Sequence, residues 1–106
     1  MSKYNIVWTE FSEWNLDQIY NYILRTSFSD RIAKRFILKL ILRVEQLEKF
    51  PRSGKTEFLL EGLGKEFRAL VYNNYKIIYF IEDNRIYITD IFHVKLSPAK
   101  MKKRSR

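Results

Sequence analysis

The chain has 106 residues and contains no cysteine and a single histidine, His93. The lack of cysteine excludes a disulfide scaffold, thiol chemistry and thiolate metal sites. A zinc site with one histidine would need a cluster of carboxylates, and the sequence has none, so we expect neither a metal nor a cofactor. No apolar run is long enough to span a membrane, and the amino-terminal residues lack a signal-peptide core. We therefore expect a soluble, cytoplasmic protein.

The composition predicts one folded domain followed by a basic tail. Apolar residues make up 46% of the chain and aromatic residues 16%, which is too rich in core-forming side chains for a disordered chain. The net charge of +8 is uneven, since residues 95–106 hold six cations and no acid. We therefore divide the chain into a domain at 1–94 and a tail at 95–106. The tail either steers the protein toward an anionic partner, such as nucleic acid or an acidic protein segment, or is a solvated terminus.

Two helices are predicted after a short first strand at residues 4–8. Thr9 or Ser12 is placed to cap the first helix, and Ser29 or Asp30 to cap a second helix that runs to about residue 48. Apolar residues recur along each helix at the spacing of one helical face. The inner stripes are Leu16, Ile19, Tyr20 and Ile23 in the first helix and Phe36, Leu40, Val44 and Leu47 in the second. The short connection between the helices predicts an antiparallel hairpin.

The second helix carries more apolar residues than one buried face requires. The additional residues are Ile37, Leu38, Ile41 and Leu42. They indicate either deep burial between the sheet and the first helix, or a patch that a partner covers. Cations recur at every fourth position of the same helix, at Arg31, Arg35, Lys39 and Arg43. These cations form either a solvated stripe or a binding surface.

Three further strands are predicted between residues 66 and 93, joined by two-residue turns at 73–74 and 83–84. Counting from the turns puts Tyr72 opposite Tyr75, Tyr79 opposite Ile88 and Ile77 opposite Asp90. The face predicted to pack on the helices carries Arg68, Leu70, Ile77, Tyr79, Ile81, Ile86, Ile88 and Phe92. The face predicted to be open gathers Lys76, Tyr87, Thr89 and His93 on an apolar floor, which suits a docked peptide or a nucleotide. Arg68 is expected to form an ion pair with Asp90.

These elements predict an α+β fold of order β-α-α-β-β-β. In it the helical hairpin packs on one face of a mainly antiparallel four-stranded sheet. Four short motifs accompany these elements: Pro-Arg-Ser-Gly at 51–54, Phe-Arg-Ala-Leu at 67–70, Tyr-Lys-Ile-Ile-Tyr at 75–79 and Ile-Phe-His-Val-Lys-Leu-Ser-Pro at 91–98. In these motifs and in the order of its elements, the sequence resembles the RelE/ParE toxin superfamily over nearly the whole chain.

The resemblance implies the toxin of a type II toxin–antitoxin, or plasmid stabilisation, module. Such a toxin is neutralised by a small antitoxin whose carboxy-terminal segment wraps around it, so we expect a hetero-oligomer of the two proteins. The apolar second helix and the predicted open face are the expected docking surfaces. Candidate residues for binding the antitoxin or the target are Ile37, Ile41, Arg35, Lys39, Arg68, Lys76, Tyr87, His93 and Lys95.

The superfamily divides by target, and the resemblance is greater to the ParE-like branch, which poisons DNA gyrase and is not a hydrolase. The shared features are Arg68-x-Leu70, the 75–79 strand, and His93 followed by Pro98 and the basic tail. The alternative is a metal-independent ribonuclease that cuts messenger RNA on the ribosome, with Lys76, His93 and Lys95 as its catalytic residues.

Two departures from the ribonuclease branch argue against this alternative. Lys76 stands where that branch has an arginine that binds phosphate with two hydrogen bonds. His93 is displaced by about one position from the branch's catalytic region, which would turn its side chain to the other face of the sheet. The chain also lacks a tyrosine after Tyr87. A small nucleic-acid-binding domain without toxicity is the second alternative.

Overall fold

The computed structural model describes residues 3–56 and 64–96 as a helical hairpin on one face of a five-stranded sheet. The strand order is β1-β5-β4-β3-β2, with β1 parallel to β5 and the other pairs antiparallel. The elements are β1 Asn5–Trp8, α1 Glu10–Ser27, α2 Asp30–Glu45, β2 Lys55–Thr56, β3 Glu66–Tyr72, β4 Tyr75–Glu82 and β5 Arg85–His93, with a 3₁₀ turn at Gln46–Glu48. The predicted α+β class is confirmed, and all the predicted elements are present in the predicted order, with one additional strand, β2.

Side-chain caps determine where the two helices begin. Thr9 caps α1, and its Oγ1 accepts the N–H of Ser12 at 3.1 Å. Phe28 ends α1 in the left-handed conformation, with a φ of 57°. Ser29 then caps α2, with its Oγ accepting the N–H of Ile32 at 3.2 Å. The chain therefore turns back almost at once, and the antiparallel hairpin is confirmed.

The main core lies between the hairpin and the sheet. Its buried members are Ile19, Leu40, Val44, Leu47, Leu70, Tyr75, Ile77, Tyr79, Ile86, Ile88 and Ile91. The predicted stripes are confirmed apart from Tyr20, which is half-buried and uses its hydroxyl to donate to Asp30 at the start of α2. Burying these aliphatic and aromatic groups contributes roughly 25 cal/mol per Å² of apolar surface removed from water.

The sheet has one strand more than the four predicted. The additional strand, β2, is only two residues long, and it pairs Lys55 with Ala69 and Thr56 with Arg68. Two residues cannot display the alternation by which a strand is recognised in a sequence, so pairing with β3 is what identifies it.

A bulge in β5 overturns part of the predicted register. Tyr72 opposite Tyr75 and Tyr79 opposite Ile88 are confirmed, but Ile77 lies opposite Ile91 and not opposite Asp90. Thr89 is the additional residue, and every β5 side chain after it lies on the opposite face of the sheet from the one predicted. As a consequence Ile91 joins the main core, and the placement of Phe92 on the helix face was wrong.

The predicted open face is partly buried, and His93 does not lie on it. His93 pairs with Tyr75, a core residue, so its side chain is on the helix side. The other face has its own buried cluster of Ala69, Ile78 and Phe92, with Phe67 and Val94 against it. Asp90 is fully buried on this face. The predicted Arg68–Asp90 pair was therefore wrong, because Arg68 lies opposite Tyr79 on the helix face.

Some sequence predictions lie outside the described residues. They are the loop through Gly62, Pro98 of the carboxy-terminal motif, and the basic tail beyond Leu96. Neither helix within 3–56 and 64–96 combines the length and the apolar content that crossing a membrane requires.

Candidate functional site

The outer side of the helical hairpin carries an open apolar groove of about 690 Å³, which we call the hairpin groove. Its lining residues are Glu13, Leu16, Asp17, Tyr20, Lys34, Ile37, Leu38 and Ile41. Ile37 and Ile41 are half-buried, whereas Leu38 remains 58% exposed. The additional apolar stripe of α2 is thus only partly covered, which favours a partner-binding patch over complete burial.

A polar network closes the end of the hairpin groove that is nearest the turn between the helices. The Tyr20 hydroxyl donates to Asp30, and Lys34 Nζ lies 3.0 Å from the same carboxylate. The hydrogen bond from Tyr20 holds the pKa of Asp30 below its usual value, and that same bond raises the pKa of Tyr20. The charge of Lys34 is therefore already balanced by a neighbour on its own helix.

A second concave surface, of about 470 Å³, lies along the edge of β3 and is called here the edge groove. It is lined by Arg43, Ser53, Gly54, Lys55, Thr56, Ala69, Leu70, Val71 and Lys76. Three of these residues are cations and none is an acid, so the groove favours an anionic ligand. Lys76 reaches it from β4, Lys55 from β2 and Arg43 from the end of α2.

The wall of the edge groove at residues 51–54 is fixed by a set of hydrogen bonds that we call the turn clamp. Tyr79 is fully buried; its hydroxyl accepts the N–H of Gly54 at 3.0 Å and donates to the carbonyl of Pro51 at 2.8 Å. Arg68 Nη1 donates to the carbonyl of Gly54 at 2.8 Å. Burial raises the pKa of the Tyr79 phenol, so Tyr79 remains a neutral hydroxyl.

The turn clamp explains why residue 54 is glycine. A Cβ added to Gly54 would lie 2.6 Å from the Tyr79 hydroxyl oxygen and 2.8 Å from the carbonyl oxygen of Ala69. One of these neighbours is backbone of β3, which cannot move aside without disturbing the strand pairing. Any larger residue would therefore push the turn away from the sheet.

A shared carboxylate extends the turn clamp. Glu66 accepts from the guanidinium groups of both Arg52 and Arg68, in each case at 2.9 Å to Oε2. These bonds, the one from Arg68 first, lower the pKa of Glu66. Arg68 is thus occupied by structural partners, which argues against its predicted part in binding a target.

His93 occupies a third surface, beside the turn between β3 and β4. This aromatic hollow of about 470 Å³ is lined by Tyr22, Ile23, Phe36, Asn73, Asn74, Tyr75 and His93. His93 Nδ1 accepts the backbone N–H groups of Lys95 at 3.1 Å and Leu96 at 3.2 Å. Nδ1 of His93 is therefore already engaged by two backbone N–H groups.

The chain matches the family model described as the ParE toxin of type II toxin–antitoxin systems, parDE, over residues 6–95. The chain belongs to the ParE toxin family. It is similar in fold to a solved structure of the chromosomal ParDE toxin–antitoxin system from P. aeruginosa, with a TM-score of 0.70. The two chains are 16% identical over 85% of this chain and 95% of the other. No curated protein sequence gives a significant match.

In this ParE family member, the residues that a ribonuclease would need close together lie on different faces or beyond the sheet. Lys76 lies opposite Phe92 on the sheet face that turns away from the helices, whereas His93 lies on the helix face. Lys95 is exposed beyond the end of β5. The bulge at Thr89 is the reason for the separation, because without it His93 would share a face with Lys76.

The remaining binding candidates are distributed over several surfaces. Ile37 and Ile41 line the hairpin groove, while Arg35 and Lys39 are exposed on α2 outside it. Tyr87 stacks on Phe80, with ring centroids 4.8 Å apart, on the sheet face away from the helices. In residues 3–56 and 64–96, no group of three or more His, Asp or Glu side chains is placed to hold a metal ion.

Sequence reasoning missed Arg43 and Lys55 as members of the edge groove. Arg43 looked like the last member of a helical stripe, and Lys55 stood in what looked like a loop. No local signal identified them, because the pairing of Lys55 with Ala69 on β3 exists only in the folded protein.

Proposed function

We propose that this ParE family member is the toxin of a type II module, that it acts in the cytoplasm on DNA gyrase, and that a small antitoxin neutralises it in a hetero-oligomeric complex. The observation that carries the proposal is the family match, which extends over residues 6–95 and therefore includes nearly all of the described fold. Membership in the ParE toxin family supports inhibition of a target over hydrolysis.

The arrangement of polar residues also supports a toxin that is not a nuclease. General acid–base catalysis of RNA cleavage needs the proton-transferring group and the phosphate-binding cations within reach of one phosphate. Lys76 and His93 are on opposite faces of the sheet, and the Nδ1 atom of His93 is engaged by backbone N–H groups.

The hairpin groove is the proposed docking surface for the antitoxin. Its apolar floor is wide and partly exposed, and it is bordered by two antiparallel helices. Such a groove suits the apolar side of an amphipathic helix. A helix laid there would cover Leu38, Ile37 and Ile41, whose exposed surface is otherwise left in water.

Controlled expression in bacteria tests the proposal, with growth, plasmid supercoiling and messenger integrity scored together. We expect growth arrest with impaired supercoiling and intact messenger. Purified protein added to purified gyrase should inhibit supercoiling in the same way. Growth arrest with normal supercoiling would reject gyrase as the target, and no arrest from a folded protein would favour the non-toxic nucleic-acid-binding alternative.

Neutralisation is tested with the small protein encoded beside this one as a co-expressed partner. Leu38→Glu places a charge in the hairpin groove and should leave toxicity unchanged while abolishing protection by the partner. Ile32→Glu is the matched control, because Ile32 is 49% exposed on the same helix but lies outside the groove. Equal loss of protection in both variants would argue against the groove.

The edge groove keeps the ribonuclease as a second candidate, since Arg43, Lys55 and Lys76 form a cationic surface suited to a phosphate chain. If expression fragments messenger RNA, Lys76→Ala should abolish the cleavage, with His93→Ala and Lys95→Ala as the further tests. Loss of cleavage in Lys76→Ala alone would mean that His93 has no catalytic role.

The division into a toxin domain at 1–94 and a basic tail at 95–106 is part of the proposal. Truncation should begin after Leu96, because the N–H groups of Lys95 and Leu96 bond to His93. We expect such a truncated chain to fold and to show weaker, less salt-dependent association with anionic partners. Failure of the truncated chain to fold would contradict the division.

A further inference from the structure

The two sides of the hairpin groove carry opposite charges. Helix α1 contains three acids, Glu10, Glu13 and Asp17, and its one cation, Arg25, is in the last turn. Glu13 and Asp17 line the groove directly. Along this side of the groove, over about one helical turn, a docked segment would meet carboxylates.

The α2 side is basic. This helix contains five cations and two acids. Lys34 lines the groove, and Arg31, Arg35 and Lys39 are exposed further around the helix, beyond Leu38. These long side chains can reach a helix lying on Leu38, because their stems extend along the helix surface while their charges stay in water.

Most of these charges have no partner within the described part of the protein. Lys34 is paired with Asp30, but none of the salt bridges found in residues 3–56 and 64–96 involves Glu13, Asp17, Arg35 or Lys39. None of those salt bridges crosses the groove from α1 to α2. They therefore remain available to a bound partner.

We propose that the hairpin groove selects an amphipathic helix with flanks of opposite charge, a basic flank along α1 and an acidic flank along α2. The inference rests on the proposed function, in which the occupant is a helical segment of the antitoxin. It differs from what net charge alone would suggest, since a protein of +8 would attract any acidic segment. A helix that is acidic on both flanks would meet Glu13 and Asp17 with like charge.

The charge arrangement also sets the direction of the bound helix. A helix that keeps its apolar side on the groove can exchange its left and right flanks only by reversing its direction. The two rims therefore distinguish the two directions, which the apolar floor alone would accept about equally.

Three labelled peptides of about 18 residues, long enough to form several helical turns, test the inference with the full-length protein. They share one apolar stripe of leucines. The split peptide has glutamates on one flank and lysines on the other, the mixed peptide has the same composition with both signs on each flank, and the acidic peptide has glutamates on both. By fluorescence anisotropy we expect the split peptide to bind about tenfold more tightly than either of the others, because several surface ion pairs change sign together.

A variant of the protein should reverse the preference. Glu13→Lys combined with Asp17→Lys makes both rims basic, so the acidic peptide should become the tightest ligand. The matched control is Glu48→Lys combined with Glu82→Lys, which changes net charge equally at residues outside the groove and should keep the original ranking. Circular dichroism confirms folding, and Asp17→Lys alone should shift the ranking in the same direction.

Three results would overturn the inference. They are tightest binding of the acidic peptide by the parent protein, an unchanged ranking in the Glu13 and Asp17 variant, and no binding of any peptide at concentrations up to roughly 1 mM. Peptide ranking does not depend on toxin activity. A failure here with successful gyrase and neutralisation assays would therefore reject the charge selection and leave the proposed function standing.

Discussion

The two hairpins of the sheet begin from similar two-residue turns and then behave differently. The β3–β4 hairpin keeps one register from Tyr72 opposite Tyr75 to Glu66 opposite Ile81. The β4–β5 hairpin starts regularly with Glu82 opposite Arg85 and then shifts by one residue at Thr89. A turn therefore fixes the register only as far as the next irregularity, and something else decides where that irregularity lies.

Each hairpin is attached to a different part of the protein. Tyr79 and Arg68, which face each other across β3–β4, hold residues 51–54 through the turn clamp. In contrast, β5 is held by α1 on both sides of its bulge. Thr9 Oγ1 donates to the carbonyl of Ile88 at 2.7 Å, and Asn15 Oδ1 accepts the N–H of Ile91 at 3.0 Å. The bulge lies between these two bonds.

Single-residue deletions should show the largest difference in stability between the two hairpins. Deleting Thr89 removes the additional residue and leaves every β4–β5 pair intact, so the protein should remain folded. Deleting Ala69 turns the side chains at 66–68 to the wrong face and detaches Arg68 from the turn clamp, so cooperative folding should be lost. Thermal unfolding followed by circular dichroism measures both. An unfolded Thr89 deletion would mean that the bulge itself is essential.

Removing the Tyr79 hydroxyl should destabilise the protein by about 1–3 kcal/mol, because it leaves the buried Gly54 N–H and the Pro51 carbonyl without their partner. Urea unfolding of Tyr79→Phe gives the value. Gly54→Ala, which crowds the same oxygen, should have an effect of similar size, roughly 1–3 kcal/mol. A loss below about 0.5 kcal/mol in both variants would show that the turn clamp contributes little to stability.

Thr9→Val should destabilise the β4–β5 side by about 1 kcal/mol, since it removes both the α1 cap and the bond to the Ile88 carbonyl. Thr9→Ser keeps the hydroxyl and is the matched control, with an expected change within about 0.5 kcal/mol. Urea unfolding compares the two variants, and a stability of Thr9→Val equal to that of the parent would show that the bonds of the hydroxyl contribute nothing.

The loss of stability at acid pH should depend partly on Glu66. Its pKa in the folded protein is lowered from the ordinary value of 4.5, so its contribution is present above that pH and disappears as pH falls through the lowered value. Glu66→Gln should therefore be less stable than the parent by roughly 0.5–1 kcal/mol at pH 7, with the difference shrinking below pH 4.5. A difference that does not change with pH would exclude the ion pairs as its cause.

Much of the fold and part of the candidate site could be predicted from local sequence. The Thr9 and Ser29 caps, the helical stripes and the two turns depend on residues within a few positions of one another. Asn73, Asp83 and Asn84 adopt the positive φ angles that short polar residues tolerate in such turns. The same local patterns carried the resemblance to the toxin family. They also identified Ile37 and Ile41, which line the hairpin groove, as candidate binding residues.

The tertiary structure alone decided the face of His93, the role of Arg68 and the membership of the edge groove. The bulge is held by bonds between residues 79 and 76 positions apart in sequence. Likewise, the turn clamp joins Gly54 to Tyr79 across 25 positions. Local propensity cannot encode such contacts, because each exists only after the hairpin has packed on the sheet. A one-residue shift at Thr89 then moved His93 from the predicted face to the other.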